Sequence, residues 1–383
     1  MSTDRPRLPP GMAAQLGWSS HMGLPTFGKR PFVSEPEQLD EWRPDVAVVG
    51  APWDDSTTNR PGARLGPRAL RAGAFTPGAY HLDLEIEIFD HLVVVDYGDA
   101  LVSPGMWEPS REAIHQRVFD VASRGIIPVV LGGDHSITWP SAAAVAAHHG
   151  HGRIGMIHFD AHADTADSLY GNLASHGTPM RRLIESGAIA GRDFIQVGLR
   201  GYWPPADVQE WMRAQGMRHH TMQEIWERGI KDVLDDVIAE ATDGKDGIYL
   251  SVDIDVLDPG FAPGTGTPEP GGLAPADLLR AVRRIALETN LVALDVVEVS
   301  PPSDPIIYKA LVTKVDPKGA DVTVAGSVPA RLPLEEMVWA RKPNPDVRWD
   351  DAPVKDATTV LKPGDVILVS IRSLPPSKPE RSE

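Results

Sequence analysis

Short apolar runs alternate with amphipathic stretches between Asp45 and about Ser300, and this alternation predicts a parallel sheet covered by helices. Eight strand candidates begin near Val46, Leu92, Ile127, Ile154, Phe194, Met217, Ile248 and Leu291. Between them lie helix-like segments such as Arg111–Ser123, Ser141–His149, Ile230–Thr242 and Pro275–Glu288. The expected fold class is therefore α/β, a three-layer α/β/α arrangement around an eight-stranded, mostly parallel sheet.

The pattern changes after Pro305, where short alternating strands with DPKG and AG turns replace the helical period. We expect residues 306–373 to form a small, separate all-β module. A Pro- and Asp-rich stretch interrupts it at 344–354, and the final residues are typical of a frayed tail. The Pro-rich N-terminus is typical of an arm that lies over the body. The chain is thus expected to divide into 1–304 and 305–383.

The composition narrows the classes of function. A formal net charge of −16 argues against binding of nucleic acid, because phosphate binding needs a basic surface. The same charge is compatible with a cationic substrate. The chain has 0 cysteines, so it offers neither disulfides nor a thiolate metal site. No apolar run reaches the length of a signal peptide core or a membrane span. The expected location is the cytoplasm, without a membrane partner.

Acidic and imidazole side chains follow the predicted strands at regular spacing. In FDAHAD, Asp160, His162 and Asp164 stand at i, i+2 and i+4, so in extended backbone all three point to one side. Asp253 and Asp255 in SVDIDVLDP repeat this spacing. Several acids ending buried strands would be costly to bury without a metal or fixed partners. The spacing therefore favours a metal site.

A second imidazole, His135, comes from GGDHS; this motif alone is explained equally well by a histidine that caps a turn or packs. In open parallel sheets, ligands bind at the carboxyl ends of the strands, where all these residues fall. Four carboxylates carry a charge of about −4, which would neutralise two divalent cations. Manganese suits a carboxylate-rich set without sulfur, with nickel or zinc as alternatives. The pattern predicts a centre of two metal ions that activates water.

Several motifs resemble the ureohydrolase family of arginases and agmatinases. They are GGDHS, HFDAHAD, SVDIDVLDPGFAPGTGTPEPGGL, ASHGTPMRR, DVVEVSPP and RPGARLGPRALR, and together they cover roughly residues 1–302. The resemblance, strongest to agmatinases, implies hydrolysis of a small guanidino compound to urea and an amine with two Mn²⁺ ions. The segment from about 308 to 373 resembles the OB-like domain of bifunctional penicillin-binding proteins, which contributes no catalytic residues.

The resemblance also implies roles for individual residues. It places His135, Asp160, Asp164 and Asp253 around one manganese ion and Asp160, His162, Asp253 and Asp255 around the other, with Asp160 and Asp253 bridging. His176 in ASHGTP corresponds to the family's proton-shuttling histidine, and Asp164 would help to pass the proton. From the residues alone, a loop histidine hydrogen-bonded to backbone is the preferred interpretation of His176.

Glu298 corresponds to the acid that holds the guanidinium group, and Thr267 in GTGTP would line the same pocket. A lone glutamate that ends an apolar strand has few partners, and a planar guanidinium offers it a bidentate one. The chain departs from the family after EVSPP, where agmatinase-like chains continue into a helix that packs on the sheet. We therefore expect an uncovered apolar face beside the eighth strand.

Agmatine, which would give putrescine and urea, is the favoured substrate. Arginine is less favoured, because Thr165 and Ala166 follow Asp164 where arginases place an asparagine that grips the amino-acid end. Guanidinobutyrate remains open, as does another binuclear hydrolysis such as that of formimidoylglutamate. A different class of protein is a catalytically impaired fusion whose β module serves interaction. A homo-oligomer is expected.

Overall fold

The structure is a computed structural model that describes residues 23–73, 79–301, 307–324, 328–334 and 355–370. It divides into two compact units, Met1–Pro301 and Pro302–Glu383, which are described separately below. Most of the expected N-terminal arm, the junction at 302–306, the stretch at 344–354 and the expected C-terminal tail from 371 lie outside the described residues. None of the described helices is long and apolar enough to cross a bilayer.

The described residues form fourteen strands and ten α-helices. The strands are β1 (Val46–Ala51), β2 (Tyr80–His81), β3 (Ile86–Glu87), β4 (Val94–Asp99), β5 (Ile127–Gly132), β6 (Ile154–Phe159), β7 (Phe194–Leu199), β8 (Arg218–Thr221), β9 (Gly247–Asp253), β10 (Leu291–Val297), β11 (Ile307–Asp316), β12 (Gly319–Val324), β13 (Val328–Pro333) and β14 (Val366–Ser370). The helices are α1 (Pro36–Trp42), α2 (Gly66–Gly73), α3 (Ile88–His91), α4 (Trp107–Ala122), α5 (Thr138–His149), α6 (Pro179–Glu185), α7 (Ala206–Ala214), α8 (Met222–Arg228), α9 (Ile230–Thr242) and α10 (Pro275–Glu288).

Eight strands form one parallel sheet in the order β4-β1-β5-β10-β9-β6-β7-β8. All eight strands predicted from the sequence are present, so the α/β fold class is confirmed. The helices α9 and α10 have the predicted bounds, whereas α4 and α5 begin earlier. Pro109 and Pro140 precede the predicted starts at Arg111 and Ser141, and they lie in the first turns, where the backbone N–H groups have no helical partner.

Apolar side chains alternate between the two faces of the sheet and form two cores. Met156 of β6 packs into the core beneath α4, α5, α6 and α7, and its neighbour Ile157 packs into the core beneath α8, α9 and α10. All of β6 and β9 is buried, but Val129, Leu294 and Val296 are only half-buried. This is the region of the eighth strand in which the sequence predicts incomplete cover.

The sheet order brings the candidate site together, because β5, β10, β9 and β6 are neighbours. His135 follows β5, Asp160, His162 and Asp164 follow β6, Asp253 and Asp255 stand at the end of β9, and Glu298 follows β10. Carboxyl ends of adjacent parallel strands share one edge of the sheet. Residues separated by more than a hundred positions in the chain therefore meet there.

The second unit contains an antiparallel sheet of four strands in the order β13-β12-β11-β14. Ala310, Val312, Ala320 and Val322 form its small core together with Ala357 and Leu361. On its surface, Arg331 pairs with Asp316 at 2.7 Å and with Asp321 at 2.8 Å. The prediction of a small all-β, OB-like module is confirmed.

We propose that the two units are separate domains, divided near residues 304 and 305. Limited proteolysis should then cut within 303–309 or 344–354, where Pro and Asp dominate the sequence and few contacts are expected to cross. The released N-terminal fragment should still bind metal if it stays folded, because all six candidate ligands precede Pro305. Resistance of both segments, together with a single cooperative unfolding transition, would contradict the two-domain proposal.

Candidate active site

His135 is surrounded by three carboxylates at the edge of the sheet. Its Nδ1 atom lies 3.1 Å from Asp160 Oδ2, 3.0 Å from Asp164 Oδ2 and 3.1 Å from Asp253 Oδ2. All four side chains are buried. One imidazole nitrogen that faces three carboxylate oxygens holds either a proton or a cation between them. This is the arrangement expected of a metal ligand set.

The second imidazole stands on the other side of Asp160. His162 Nδ1 lies 3.1 Å from Asp255 Oδ2 and 3.5 Å from Asp160 Oδ1. Asp160 thus directs one oxygen towards each histidine, as its predicted bridging role requires. Asp253 directs Oδ2 towards His135 while its Oδ1 accepts the N–H of Asp255 at 2.8 Å. Its bridging role stays a prediction.

The charges of this cluster shift one another's protonation. Burial, and then the negative charges of Asp255 and Asp160, hold the pKa of Asp253 well above its ordinary value. Burial and the charge of Asp160 raise the pKa of Asp255 to about 6. Burial opposes protonation of His162, but the Asp255 and Asp160 carboxylates outweigh it and raise its pKa to about 12. Positive charge would therefore stabilise this buried cluster of carboxylates, and divalent cations would provide it.

Local backbone turns aim these side chains. The Oδ1 atoms of Asp134, Asp160 and Asp253 accept hydrogen bonds from the N–H groups of Ser136 (3.0 Å), His162 (2.6 Å) and Asp255 (2.8 Å). Each bond closes a turn at or just beyond the end of a strand, which is a common role of aspartate. Asp164 and Glu298 adopt left-handed backbone with φ of 50° and 57°. Such conformations are uncommon outside glycine and cluster at functional sites.

A chain of hydrogen bonds behind His135 sets its orientation. His135 Nε2 lies 3.1 Å from Ser251 Oγ, and this hydroxyl donates its hydrogen to Asp295 Oδ1 at 2.7 Å. Asp295 Oδ2 in turn accepts from Tyr249 and Thr138 at 2.7 and 2.8 Å. Because Ser251 has one hydrogen and gives it to Asp295, it accepts from His135 Nε2–H. In the neutral ring, the lone pair of Nδ1 therefore points at the three carboxylates, where a cation fits.

Glu298 presents one unpaired oxygen beside this cluster. Its Oε1 atom accepts the N–H of His135 at 3.0 Å and lies 3.2 Å from His176 Nδ1. Its Oε2 atom is buried and, among the described residues, has no hydrogen-bond partner. A Cβ atom on Gly266 would lie 3.0 Å from Oε2, so the glycine keeps the approach to this oxygen open. A buried, unpaired carboxylate oxygen is costly unless a ligand satisfies it.

His176 lies between Glu298 and the loop after β1. Its Nε2 atom is 2.8 Å from Thr58 Oγ1 and accepts the backbone N–H of Thr58 at 3.2 Å. Burial opposes its charged form, but Glu298 outweighs this effect and raises the pKa of His176 to about 9. Nδ1 keeps its proton and donates it to Glu298 Oε1 in both the neutral and the charged ring, so the proton that exchanges is at Nε2. The hydroxyl of Thr58 can accept from the charged ring and donate to the neutral one.

The loop after β9 is fastened by Arg200. Its guanidinium donates to the backbone oxygens of Asp255 at 2.6 Å and Glu269 at 2.8 Å. Thr267 lies within this loop, and its hydroxyl is 3.4 Å from Asp255 Oδ2. The structure thus places Thr267 beside one of the candidate ligands.

The structure also brings to the site several residues for which the sequence predicts no role. These are Thr58, Asp134, His158, Gln196, Arg200, Ser251 and Asp295. Four of them stand within motifs that resemble the family, namely Asp134 in GGDHS, His158 in HFDAHAD, Ser251 in SVDIDVLDP and Asp295 in DVVEVSPP, so their positions were usable signals. Thr58, Gln196 and Arg200 lie outside these motifs, and their contacts join strands and loops that are distant in sequence.

Comparisons with known proteins agree with this geometry. A family model described as the arginase family matches residues 44–315, and one described as the penicillin-binding protein OB-like domain matches residues 281–374. A mitochondrial guanidino acid hydrolase of Homo sapiens is 36% identical over 79% of this chain and 81% of its own length. A mitochondrial agmatinase of Gallus gallus is 39% identical over 67% of this chain and 74% of its own.

A solved structure shows the same fold. The proclavaminate amidino hydrolase of Streptomyces clavuligerus has a TM-score of 0.67 and 35% identity, covering 75% of this chain and 92% of its own. The arginase-family match spans well over half of the sequence. The resemblance to ureohydrolases and to the OB-like domain is confirmed. The chain therefore belongs to the arginase family, as a hydrolase of the ureohydrolase type.

Proposed function

We propose that this chain hydrolyses the guanidino group of a small substrate to urea and an amine, and that agmatine, which yields putrescine, is its substrate. The unpaired Oε2 atom of Glu298 carries this proposal. It is a buried anionic acceptor, and a planar guanidinium supplies the N–H donors that it lacks. The carboxylate cluster around His135 and His162 lies at the same edge of the sheet.

Two manganese ions fit the neighbouring donor set. His135, Asp160, Asp164 and Asp253 would hold one ion, and Asp160, His162, Asp253 and Asp255 the other. The lone pair of His135 Nδ1 and the raised pKa of Asp253 support this assignment, because a cation would bind the lone pair and offset the buried negative charge. When bound, the ions supply a water nucleophile of lowered pKa and electrostatic stabilisation of the developing charge.

The protein's own groups position the substrate and move the proton. Glu298 orients the guanidinium, and Gly266 leaves space for it. His176, whose pKa is raised to about 9, holds a proton at neutral pH that the departing amine can take, with Asp164 on the path. Burial of these groups limits access of bulk water and strengthens their electrostatic interactions.

A guanidino acid such as guanidinobutyrate is the second candidate substrate. The relative from Homo sapiens is named as a guanidino acid hydrolase and shares 36% identity with this chain, close to the 39% shared with the agmatinase. Both compounds present the same guanidinium to Glu298, and they differ at the far end, which is an ammonium group in agmatine and a carboxylate in guanidinobutyrate. Assembly into a homo-oligomer and a cytoplasmic location belong to the same proposal.

Urea release measured with agmatine, guanidinobutyrate and arginine tests the proposal. Each substrate is assayed with Mn²⁺ and again after removal of metal by a chelator. We expect manganese-dependent turnover that is fastest with agmatine and slowest with arginine. Preference for guanidinobutyrate would keep the reaction but change the substrate. Release of no urea from any of the three, while two ions are bound, would favour formimidoylglutamate hydrolysis or an impaired fusion.

A further inference from the structure

His158 lies on β6, two residues before Asp160, and its side chain is completely buried. Its Nε2 atom is 2.9 Å from Asp160 Oδ2, and its Nδ1 atom is 3.0 Å from Gln196 Nε2. The ring also packs edge-on against His135 and Phe194, with centroid distances of 4.8 and 5.7 Å. Contacts at both ring nitrogens and two ring–ring contacts hold this imidazole in one orientation.

The amide of Gln196 determines which ring nitrogen of His158 carries the proton. Gln196 Nε2 lies 2.8 Å from the backbone oxygen of Ala163, which can only accept, so this corner of the amide is the nitrogen. The same NH₂ group then donates its second hydrogen to His158 Nδ1. A ring nitrogen that accepts is unprotonated, so the proton of the neutral imidazole is on Nε2. His158 therefore donates to Asp160.

Gln196 also holds the backbone of the ligand motif. His158 and Gln196 are register partners on β6 and β7, so their side chains lie beside each other. Ala163, whose oxygen Gln196 binds, stands between His162 and Asp164. The amide of Gln196 thus holds two groups in place. One is the ring of His158, and the other is the backbone oxygen of Ala163, between the candidate ligands His162 and Asp164.

We propose that His158 and Gln196 are positioning residues of the metal centre. The Gln196 amide sets the tautomer of His158, and His158 Nε2–H holds the Asp160 carboxylate so that its two oxygens face two different ions. We call this pair the His158–Gln196 clamp. The inference rests on the proposed function, because it assumes that Asp160 bridges a pair of metal ions.

The tautomer argues against a direct ligand role for His158. Donor atoms of His135, His158 and Asp160 lie close enough together to hold an ion. However, Nε2 of His158 carries a proton and has no lone pair to offer, and Nδ1 is occupied by Gln196. His135 differs, because its Nδ1 faces the carboxylates while Ser251 accepts the proton of Nε2. His135 therefore remains a candidate metal ligand, whereas His158 donates a hydrogen bond to the candidate ligand Asp160.

Manganese binding by the full chain tests the clamp, with calorimetry for affinity and stoichiometry and the EPR spectrum for the coupling of the two ions. Gln196→Met removes both amide hydrogen bonds at similar volume. His158→Leu removes the donor, and His158→Gln retains an N–H at a similar reach. The matched control is His220→Leu, since His220 is also buried and paired with carboxylates but lies on the edge strand β8.

We expect wild type and the His220 variant to bind two ions with the same affinity. Gln196→Met and His158→Leu should weaken binding by roughly 10–100-fold, the usual effect of losing a partner that orients a ligand, and should alter the EPR spectrum. His158→Gln should recover most of the affinity. If His158→Leu does not fold, Gln196→Met decides the question, because it leaves the imidazole in place.

Wild-type affinity and an unchanged spectrum in Gln196→Met would overturn the clamp. Loss of one ion in His158→Leu, combined with wild-type binding in Gln196→Met, would make His158 a ligand and would also overturn it. Failure of the wild-type chain to bind a pair of ions is a separate result. It would overturn the proposed function, and the clamp with it.

Discussion

Asp160→Asn should abolish manganese binding and urea release together. Asp160 is the carboxylate whose two oxygens face both His135 and His162, at 3.1 and 3.5 Å. An amide in its place lacks the negative charge, and its nitrogen cannot bind a cation, so both ions lose a shared ligand. We expect metal content near zero by elemental analysis and no detectable urea. Asp253→Asn should behave in the same way if Asp253 also bridges.

Asp193→Asn is the matched control for this result. Asp193 is nearly as buried, at 7% exposure, but it pairs with Lys245 at 2.6 Å directly before β7, at the opposite edge of the sheet from the site. Its replacement should lower stability without changing the metal content per folded chain. Wild-type metal occupancy in Asp160→Asn would show that Asp160 is not shared between the ions.

The sequence predicts the strands and the candidate ligands for one physical reason. A buried parallel strand requires a continuous apolar run, so any charged residue at its end stands out against the run before it. Asp160 follows IGMIHF, and Asp253 follows GIYLSV. Because all such ends lie at one edge of the sheet, the fold class predicts a shared edge, and the order of the strands then makes these ends neighbours.

Other parts of the site depend on contacts that no spacing encodes. Ser251 and Asp295 belong to different strands, and only the neighbouring positions of β9 and β10 in the sheet place them behind His135. Gln196 reaches His158 across 38 positions of sequence. The sequence alone does not show whether a polar residue within an apolar strand only has its own hydrogen bonds satisfied or also orients a metal ligand. The partners that the fold brings to the residue distinguish these two cases.

The left-handed backbone at Glu298 is another feature that the sequence does not predict. Glutamate rarely adopts a positive φ, yet Glu298 has this conformation directly after β10, and its side chain is buried. The strain is compensated by fixed contacts, since the N–H of Glu298 donates to Gly133 at 2.8 Å and its Oε1 accepts from His135. A pre-positioned acceptor of this kind supports the proposed grip on a guanidinium.

His176→Ala should leave both metal ions bound but lower the turnover number by roughly 10²–10⁴, the usual contribution of a general acid–base group. His176 contacts Glu298 and Thr58, and its assigned task is to supply a proton to the departing amine. The deletion therefore removes the proton and leaves the ligand set complete. Steady-state kinetics on samples of known manganese content give the result.

His220→Ala separates this effect from the general cost of removing a buried histidine. His176 and His220 are both 7% exposed, and each contacts glutamate; for His220 the partners are Glu224 at 3.1 Å and Glu240 at 3.4 Å. Turnover per folded chain should remain near wild type in the control, because β8 lies at the far edge of the sheet. If His176→Ala instead loses metal, His176 helps to hold the ions. Its role as proton donor would then be wrong, because a histidine that binds metal offers the ion the lone pair that a proton would occupy.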